Sequence, residues 1–264
     1  MSMKNYLQTL KIIITILFVL SSLISCKKND IVEEEIKPIA PKCLITKIAF
    51  PNSQYFADFE YNTSGQLISM NNQLESSEFY SFEYDVKGNC VSMKTYKGTP
   101  SNPQRIMDEF KMKYDDKNIL TEFITNNSTT YYVKINDKKQ VIEVSGKDPY
   151  VQRTQFEYNL KGGLSKRTIY DRANSSEISS VFEYEYDDKI SPFNVFPFVI
   201  KNHLFSNWGL GGNNITLVKE MQKGLPSNSF IVRKVSYEYN ADGFPIVYKD
   251  LEKGFSLVFS YKCQ

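Results

Sequence analysis

Apolar and polar positions along this chain alternate with a period of two over short runs, and the runs come in pairs. FEYNTSGQL (59–67) sets the pattern: aromatic, acid, aromatic, a polar turn, then a return to apolar residues. It recurs as FEYDVKGNC (82–90), MKYDDKNIL (112–120), VKINDKKQV (133–141), FEYNLKGGL (156–164), YEYDDKI (184–190) and YEYNADGFP (237–245). The anchors Tyr61, Tyr84, Tyr114, Ile135, Tyr158, Tyr186 and Tyr239 lie 23, 30, 21, 23, 28 and 53 residues apart. Such a period holds two short strands and two turns, so the predicted unit is a β-hairpin and the chain is an array of them.

The residue types fix directions within each unit. Alternate side chains of a strand share a face, which sends Phe59 with Tyr61 and Phe82 with Tyr84 inward, and Glu60, Glu83, Glu157, Glu185 and Glu238 outward. The Asn or Asp after the anchor opens a turn by accepting backbone NH groups two residues on. Gly65, Gly88, Gly162 and Gly243 permit a positive φ, the requirement of a type I turn closed by a bulge. Asn118 and Lys139 hold that place in two copies; Asn is a fair left-handed substitute and Lys a poorer one. Roughly fourteen to sixteen strands in one meander cannot lie flat, because sheets beyond about ten strands curl, split or close. The expected fold is all-β: one antiparallel meander forming a strongly curved sheet, open, superhelical or barrel-like, with its aromatic face inward. The 18 Tyr and 18 Phe supply the area such a core needs in the absence of covering helices.

The N-terminal segment belongs to a different pattern. Lys4 and Lys11 precede an apolar run from Ile12 to Ile24, too short for an ordinary membrane span and suited to a secretory signal. The run ends in Leu23-Ile24-Ser25-Cys26, which resembles the bacterial lipobox. That resemblance implies cleavage between Ser25 and Cys26 and acylation of Cys26, giving the chain a membrane partner through its acyl anchor. The expected organisation is a signal peptide over 1–25, a flexible tether over 26–42 and a single β-repeat domain over 43–264. Glu33, Glu34 and Glu35 are similar to surface-export signals of Bacteroidetes-type lipoproteins and serve equally well as a soluble spacer. An outer-membrane anchor is expected; the cell surface and the periplasmic face both stay open.

The phrase Y-[DN]-x-x-G-x-L on a period of twenty-odd residues resembles the YD repeat of Rhs-type proteins. With the lipobox and the D-x-K-x-S-P-F segment from Asp187 to Phe193, the chain is similar to a large group of Bacteroidetes lipoproteins of undetermined activity. The resemblance covers about residues 44–261, the insertion excepted, and implies architecture rather than activity. Long Rhs proteins use many more copies to build a shell around a toxin, so encapsulation is not carried over.

Between Tyr186 and Tyr239 the period doubles, and residues 187–214 are an insertion holding the one Trp and the one His of the chain. Pro192 and Pro197 bar one regular element across it, while Val199, Leu204, Phe205 and Trp208 recur at near-helical spacing, predicting a short helix from about Phe198 to Trp208. The insertion reads as a plug packing its aromatics against the curved sheet. It reads alternatively as the wall of a binding groove, with Phe193, Phe196, Phe198, His203 and Trp208 as candidate ligand contacts.

Charge and cysteine usage narrow the classes. The 32 basic and 30 acidic residues fall to 30 against 30 once Lys4 and Lys11 leave with the signal, so a nucleic-acid partner is not expected. With Cys26 acylated, Cys43, Cys90 and Cys263 remain, an odd number that leaves at least one free thiol or an intermolecular bond. Cys90 stands where Leu67 stands one copy earlier and reads as a small core hydrophobe. Cys43 and Cys263 pair only if the first and last strands meet; the sequence leaves that unsettled, and pairing is not the reading adopted. No histidine triad, phosphate loop, nucleophile elbow or C-x-x-C is present, so no catalytic residue, metal or cofactor is expected. Asp115-Asp116 and Asp187-Asp188 read as turn openers before loose Ca²⁺ ligands. The expected function is a lipid-anchored envelope module that binds or scaffolds a glycan, peptide or protein partner. The alternatives are a structural lipoprotein without a ligand site, a carrier of an apolar ligand and, last, a glycoside hydrolase-like enzyme.

Overall fold

The structure, a computed structural model, describes residues 43–73, 77–126, 128–160, 162–204, 212–224, 226 and 229–263. The expected signal peptide, the Ser25–Cys26 cleavage site, the acylated Cys26 and the tether lie outside them, as does Trp208.

Six of the seven sequence phrases form the hairpin they predict, and the sixth in order, 184–190, lies within one strand. The strands are β1 (Cys43–Ala49), β2 (Phe56–Tyr61), β3 (Leu67–Asn72), β4 (Glu78–Tyr84), β5 (Cys90–Thr99), β6 (Asn102–Tyr114), β7 (Leu120–Thr125) and β8 (Thr130–Ile135). They continue as β9 (Val141–Gly146), β10 (Arg153–Tyr158), β11 (Leu164–Tyr170), β12 (Ile178–Ile190), β13 (Asn213–Gln222), β14 (Ile231–Tyr239), β15 (Pro245–Asp250) and β16 (Phe255–Cys263). Every strand pairs antiparallel with its neighbours in sequence, and β1 pairs with β16, so the curved sheet closes into a barrel.

The turns follow the residue types. In the first hairpin Asn62 Oδ1 accepts Ser64 N and Gln66 N, each at 3.0 Å, and Gly65 sits at φ +76°. Asn118 and Lys139 take the same left-handed conformation at φ +60° and +59° without glycine's freedom. Beside the turn the register slips at the anchor in hairpin after hairpin, the bulge the glycine signalled.

The anchor tyrosines do more than fill space. The Tyr61 hydroxyl donates to the Ile45 carbonyl at 2.8 Å, Tyr84 to Leu67 at 2.9 Å, Tyr114 to Cys90 at 2.9 Å and Tyr158 to Val141 at 2.7 Å. Each bond ties a hairpin to the returning strand of the hairpin before it. In these four the phenol enters the core with its one polar atom satisfied.

The barrel contains an eighth unit that the repeat count of the sequence missed. Phe259-Ser260-Tyr261 on β16 is a further anchor phrase, and Tyr261 pairs with Ile45 on β1 as Tyr61 pairs with Leu67. Its hydroxyl reaches the Pro245 carbonyl at 2.6 Å, the same tie as at Tyr61, Tyr84, Tyr114 and Tyr158. This hairpin is split between the two ends of the domain, and where its turn would be stands a disulfide between Cys43 and Cys263, S–S 2.04 Å. The adopted reading of unpaired cysteines is therefore corrected. It failed because half of the unit lies at each end of the sequence, where a linear search does not join them.

Inside and outside separate cleanly. Phe59, Phe82, Met112, Phe156 and Phe259 line the interior with Leu67, Cys90, Val141, Leu164 and Ile215, and Tyr61, Tyr84, Tyr114, Tyr158 and Tyr186 pack against them. Cys90 is a free, buried thiol that burial pushes up to about 12. Glu60, Glu83, Glu157, Glu185 and Glu238 are all exposed, as their place in the phrase requires. Around the outer wall they enter cross-strand pairs: Glu83 with Lys94, Glu157 with Lys166, Glu185 with Lys219 and Glu238 with Lys249, alongside Lys113 with Glu122 and Lys134 with Glu143. Exposed pairs of this kind add little stability, about 0–1 kcal/mol each. They do define the medium. A lysine at the lipid-facing midplane of a membrane barrel costs about 2–4 kcal/mol, so a wall ringed with such residues is built for water.

Candidate functional site

The insertion replaces the turn of the sixth hairpin. Tyr186 on β12 pairs with Ile215 on β13 in the register of anchor and return strand, and residues 187–214 leave and re-enter at that point. Asp187 keeps the turn-opening role, Oδ1 accepting Lys189 N at 2.9 Å and Asn214 N at 3.3 Å, while Oδ2 accepts the Tyr239 hydroxyl. Asp115 likewise accepts Lys117 N and Ile119 N. Among the described residues no three of His, Cys, Asp or Glu converge as metal ligands.

Past Asp187 the chain turns into the barrel. Phe193 and Phe196 are 2% and 3% exposed; Phe193 meets Phe259 edge-on and Phe196 stacks on Phe59. Helix α1 (Phe198–Leu204) follows, burying Val199 and Ile200, with Phe198 edge-on against Phe156. The predicted helix is thus present to Leu204, and its expected continuation to Trp208 lies outside the described residues. The His203 ring lies tilted against Phe110, centres 4.6 Å apart; the residue keeps an exposed face, while desolvation at the contact holds its imidazole below the ordinary value, against the opposing pull of Asp108 and Glu78. Three of the five candidate contacts, Phe193, Phe196 and Phe198, are therefore assembled as a plug against the inner wall, with Phe193 and Phe196 as core residues, while His203 stays exposed at its edge.

The two rims of the barrel differ. One carries the tight turns, the insertion and the disulfide. The other carries the longer loops that link one hairpin to the next, and here ordered loops frame a polar cleft of about 590 Å³. Its walls are Pro149 and Tyr150 from the β9–β10 loop, Asp171, Arg172, Asn174, Ser175 and Glu177 from the β11–β12 loop, and Lys223. Both loops are internally bonded. Tyr150 N donates to Asp148 Oδ1 at 2.9 Å, Glu177 N to Ser175 Oγ at 2.8 Å, and Asp171 N to the Glu177 carbonyl at 3.1 Å. Lys223 Nζ lies between two carboxylates, 2.8 Å from Asp171 and 2.7 Å from Glu177. The Tyr150 ring stands 74% exposed with the Arg172 guanidinium 5.5 Å from its centroid. A second cleft on this rim, about 490 Å³, is lined by Tyr55 with Asn71, Gln73, Ser77 and Thr99.

The electrostatics do not favour acid catalysis. The hydrogen bond and charge of Lys223 hold Asp171 below the usual carboxylate range, and bonds from Asn89 do the same for Asp85. Burial pushes Glu143 upward, but its bonds to Lys134 and Gln155 outweigh that and leave it lowered. A general acid needs a shift in the opposite direction.

No family model and no curated protein matches this chain. Solved structures are similar to it in outline. A porin-like protein from Bacteroides uniformis is 12% identical, covers 83% of this chain and 98% of its own, and gives a TM-score of 0.40. A porin-like protein from Bacteroides vulgatus gives 13% identity, the same coverages and a TM-score of 0.42. The Photorhabdus luminescens Tc holotoxin pore gives 10% and 0.30 over 74% of this chain, which spans only 12% of that one. Likeness of this degree carries no argument about the molecule; the fold rests on its own strand register.

The cleft at Tyr150 had no counterpart in the sequence reading. Its residues come from three loops, none of them in the repeated phrase, and no spacing links Tyr150, Asp171 and Lys223. The one signal was a large aromatic beside Pro149 in a stretch with no alternating pattern.

Proposed function

We propose that the protein is a lipid-anchored envelope module that binds a neutral glycan on the rim opposite its tight turns. The observation that carries this reading is the Tyr150 cleft. An aromatic ring is held open to solvent beside planar hydrogen-bonding groups, Asp171, Arg172, Asn174 and Glu177, whose loops are ordered by their own bonds. A sugar presents an apolar C–H face to such a ring and pairs of hydroxyls to such carboxylates and amides. Two acids and two bases line the cleft, so a charged polymer gains nothing there, and preformed walls spare the ordering cost of binding. Residue 43 enters the barrel at the tight-turn rim, beside Cys263. The acyl anchor at Cys26 and its tether, the expectation from the sequence, complete the reading.

The test is an array of neutral oligosaccharides probed with the full chain in detergent micelles. Retention of a neutral glycan, weakened about tenfold by Tyr150→Ala and unaffected by Lys166→Ala on the outer wall, is the expected result. Retention of no neutral glycan, or binding indifferent to Tyr150→Ala, overturns it.

A further inference from the structure

One position of the repeat breaks its apolar pattern on the inner wall. Three residues beyond the first return-strand residue, the hairpins carry Met70, Met93, Phe123, Val144, Val218, Tyr248 and, in the split unit, Ile48. The fifth hairpin carries Arg167. It lies between Phe156 on β10 and Phe182 on β12, both on the inner face, and is only 8% exposed. Its guanidinium rests 4.2 Å from the centre of the Phe182 ring, and among the described residues none of its donors meets an acceptor. Two residues along the same face from Phe182, the Tyr184 hydroxyl is also buried without a partner. Arg233, which pairs with Val218 on the next strand pair, faces the same region, and the charges of both arginines act on the Tyr184 phenol. Two acids share this face: Glu220, whose carboxylate accepts the Gln222 amide at 2.5 Å, and buried Asp250, which lies opposite Val235 two residues from Arg233.

A buried arginine is retained at a cost unless an opposite charge and hydrogen bonds compensate it. A buried donor without an acceptor marks the place of a missing group. We propose that Arg167 and the Tyr184 hydroxyl form an anion site on the inner wall of the barrel, taking a compact oxyanion, either a carboxylate or a phosphate group. The guanidinium supplies a planar fork of donors, and the phenol supplies another from the adjacent strand. This site stands apart from the glycan cleft at Tyr150 and rests on different residues.

Thermal unfolding of the full chain in sodium acetate and in sodium phosphate, against sodium chloride at equal ionic strength and pH, tests it. An anion that binds only the folded state raises the midpoint in a saturable way. The expected result is such a rise in acetate, in phosphate or in both, which also tells carboxylate from phosphate, and its loss in Arg167→Met. Saturable movement of an arginine Nε–H resonance as acetate or phosphate is added to the wild-type chain supplies the same test without a variant. Equal midpoints in all three salts with no moving resonance, or a salt response kept in Arg167→Met, overturns the site and leaves a hydrated arginine.

Discussion

Tyr158 and Tyr186 occupy the same place in neighbouring hairpins, and their hydroxyls end differently. Tyr158 donates to the Val141 carbonyl, whereas the Tyr186 hydroxyl is buried with no partner among the described residues. Removing a made bond leaves a carbonyl unsatisfied, while removing an unmade one relieves a desolvated donor. Tyr158→Phe is expected to destabilise by about 1 kcal/mol and Tyr186→Phe to be neutral or stabilising, by denaturant titration of each; equal losses would refute the assignment. Lys201 on α1 gives a second residue-scale prediction. Burial lowers its amine from 10.5 to about 8, so between those values the unfolded chain binds more protons and stability rises with pH. Lys201→Met removes that rise and adds about 1–3 kcal/mol at pH 7, where the native amine is still charged. Unfolding curves across pH 7–11 measure both effects. At this scale the sequence was legible where a residue sat in the repeated phrase: inward aromatic, outward acid, turn opener, bulge glycine. It was silent on which carbonyl each phenol would find, because that partner belongs to the previous hairpin.

Hairpins were the most legible elements, since one phrase specifies strand, turn and register together. The insertion was legible as an interruption and as a short helix, but its direction was not. Whether Phe193 and Phe196 face a ligand or a core depends on what surrounds them, and that is a property of the closed sheet. The eighth hairpin was hidden, and its closure is a separate energetic device. In the chain-entropy view a cross-link spanning 220 residues restricts the unfolded chain by about 5 kcal/mol. Replacing Cys43 and Cys263 together with Ser is expected to lower stability by about 3–5 kcal/mol and to open β1 and β16 first. Hydrogen exchange resolves the order; unchanged protection along that seam would show that strand pairing alone holds it.

On the scale of the molecule, the sequence predicted curvature and left closure open. An array of seven units has two open edges; the eighth, assembled from both ends, removes them, and edges are what a long sheet must hide. The same closure sorts the surfaces into a charged wall, a mostly apolar interior and two unlike rims. A wall of that character offers no apolar band to a bilayer, so the proposed membrane association would rest on the acyl chain proposed for Cys26. Cys26→Ala is expected to move the protein from the membrane to the aqueous fraction of lysed cells; retention in the membrane would contradict the reading of the wall.

The eight turn positions of the ring are alike in geometry, yet three kinds of chain fill them. Six hold short turns, one holds a 28-residue excursion that comes back to register, and one holds a pair of sulfur atoms. The barrel therefore treats each turn as a port, indifferent to what is plugged in so long as the two strands leave and return side by side. Variation in such a scaffold is free to enter at one port without disturbing the seven others.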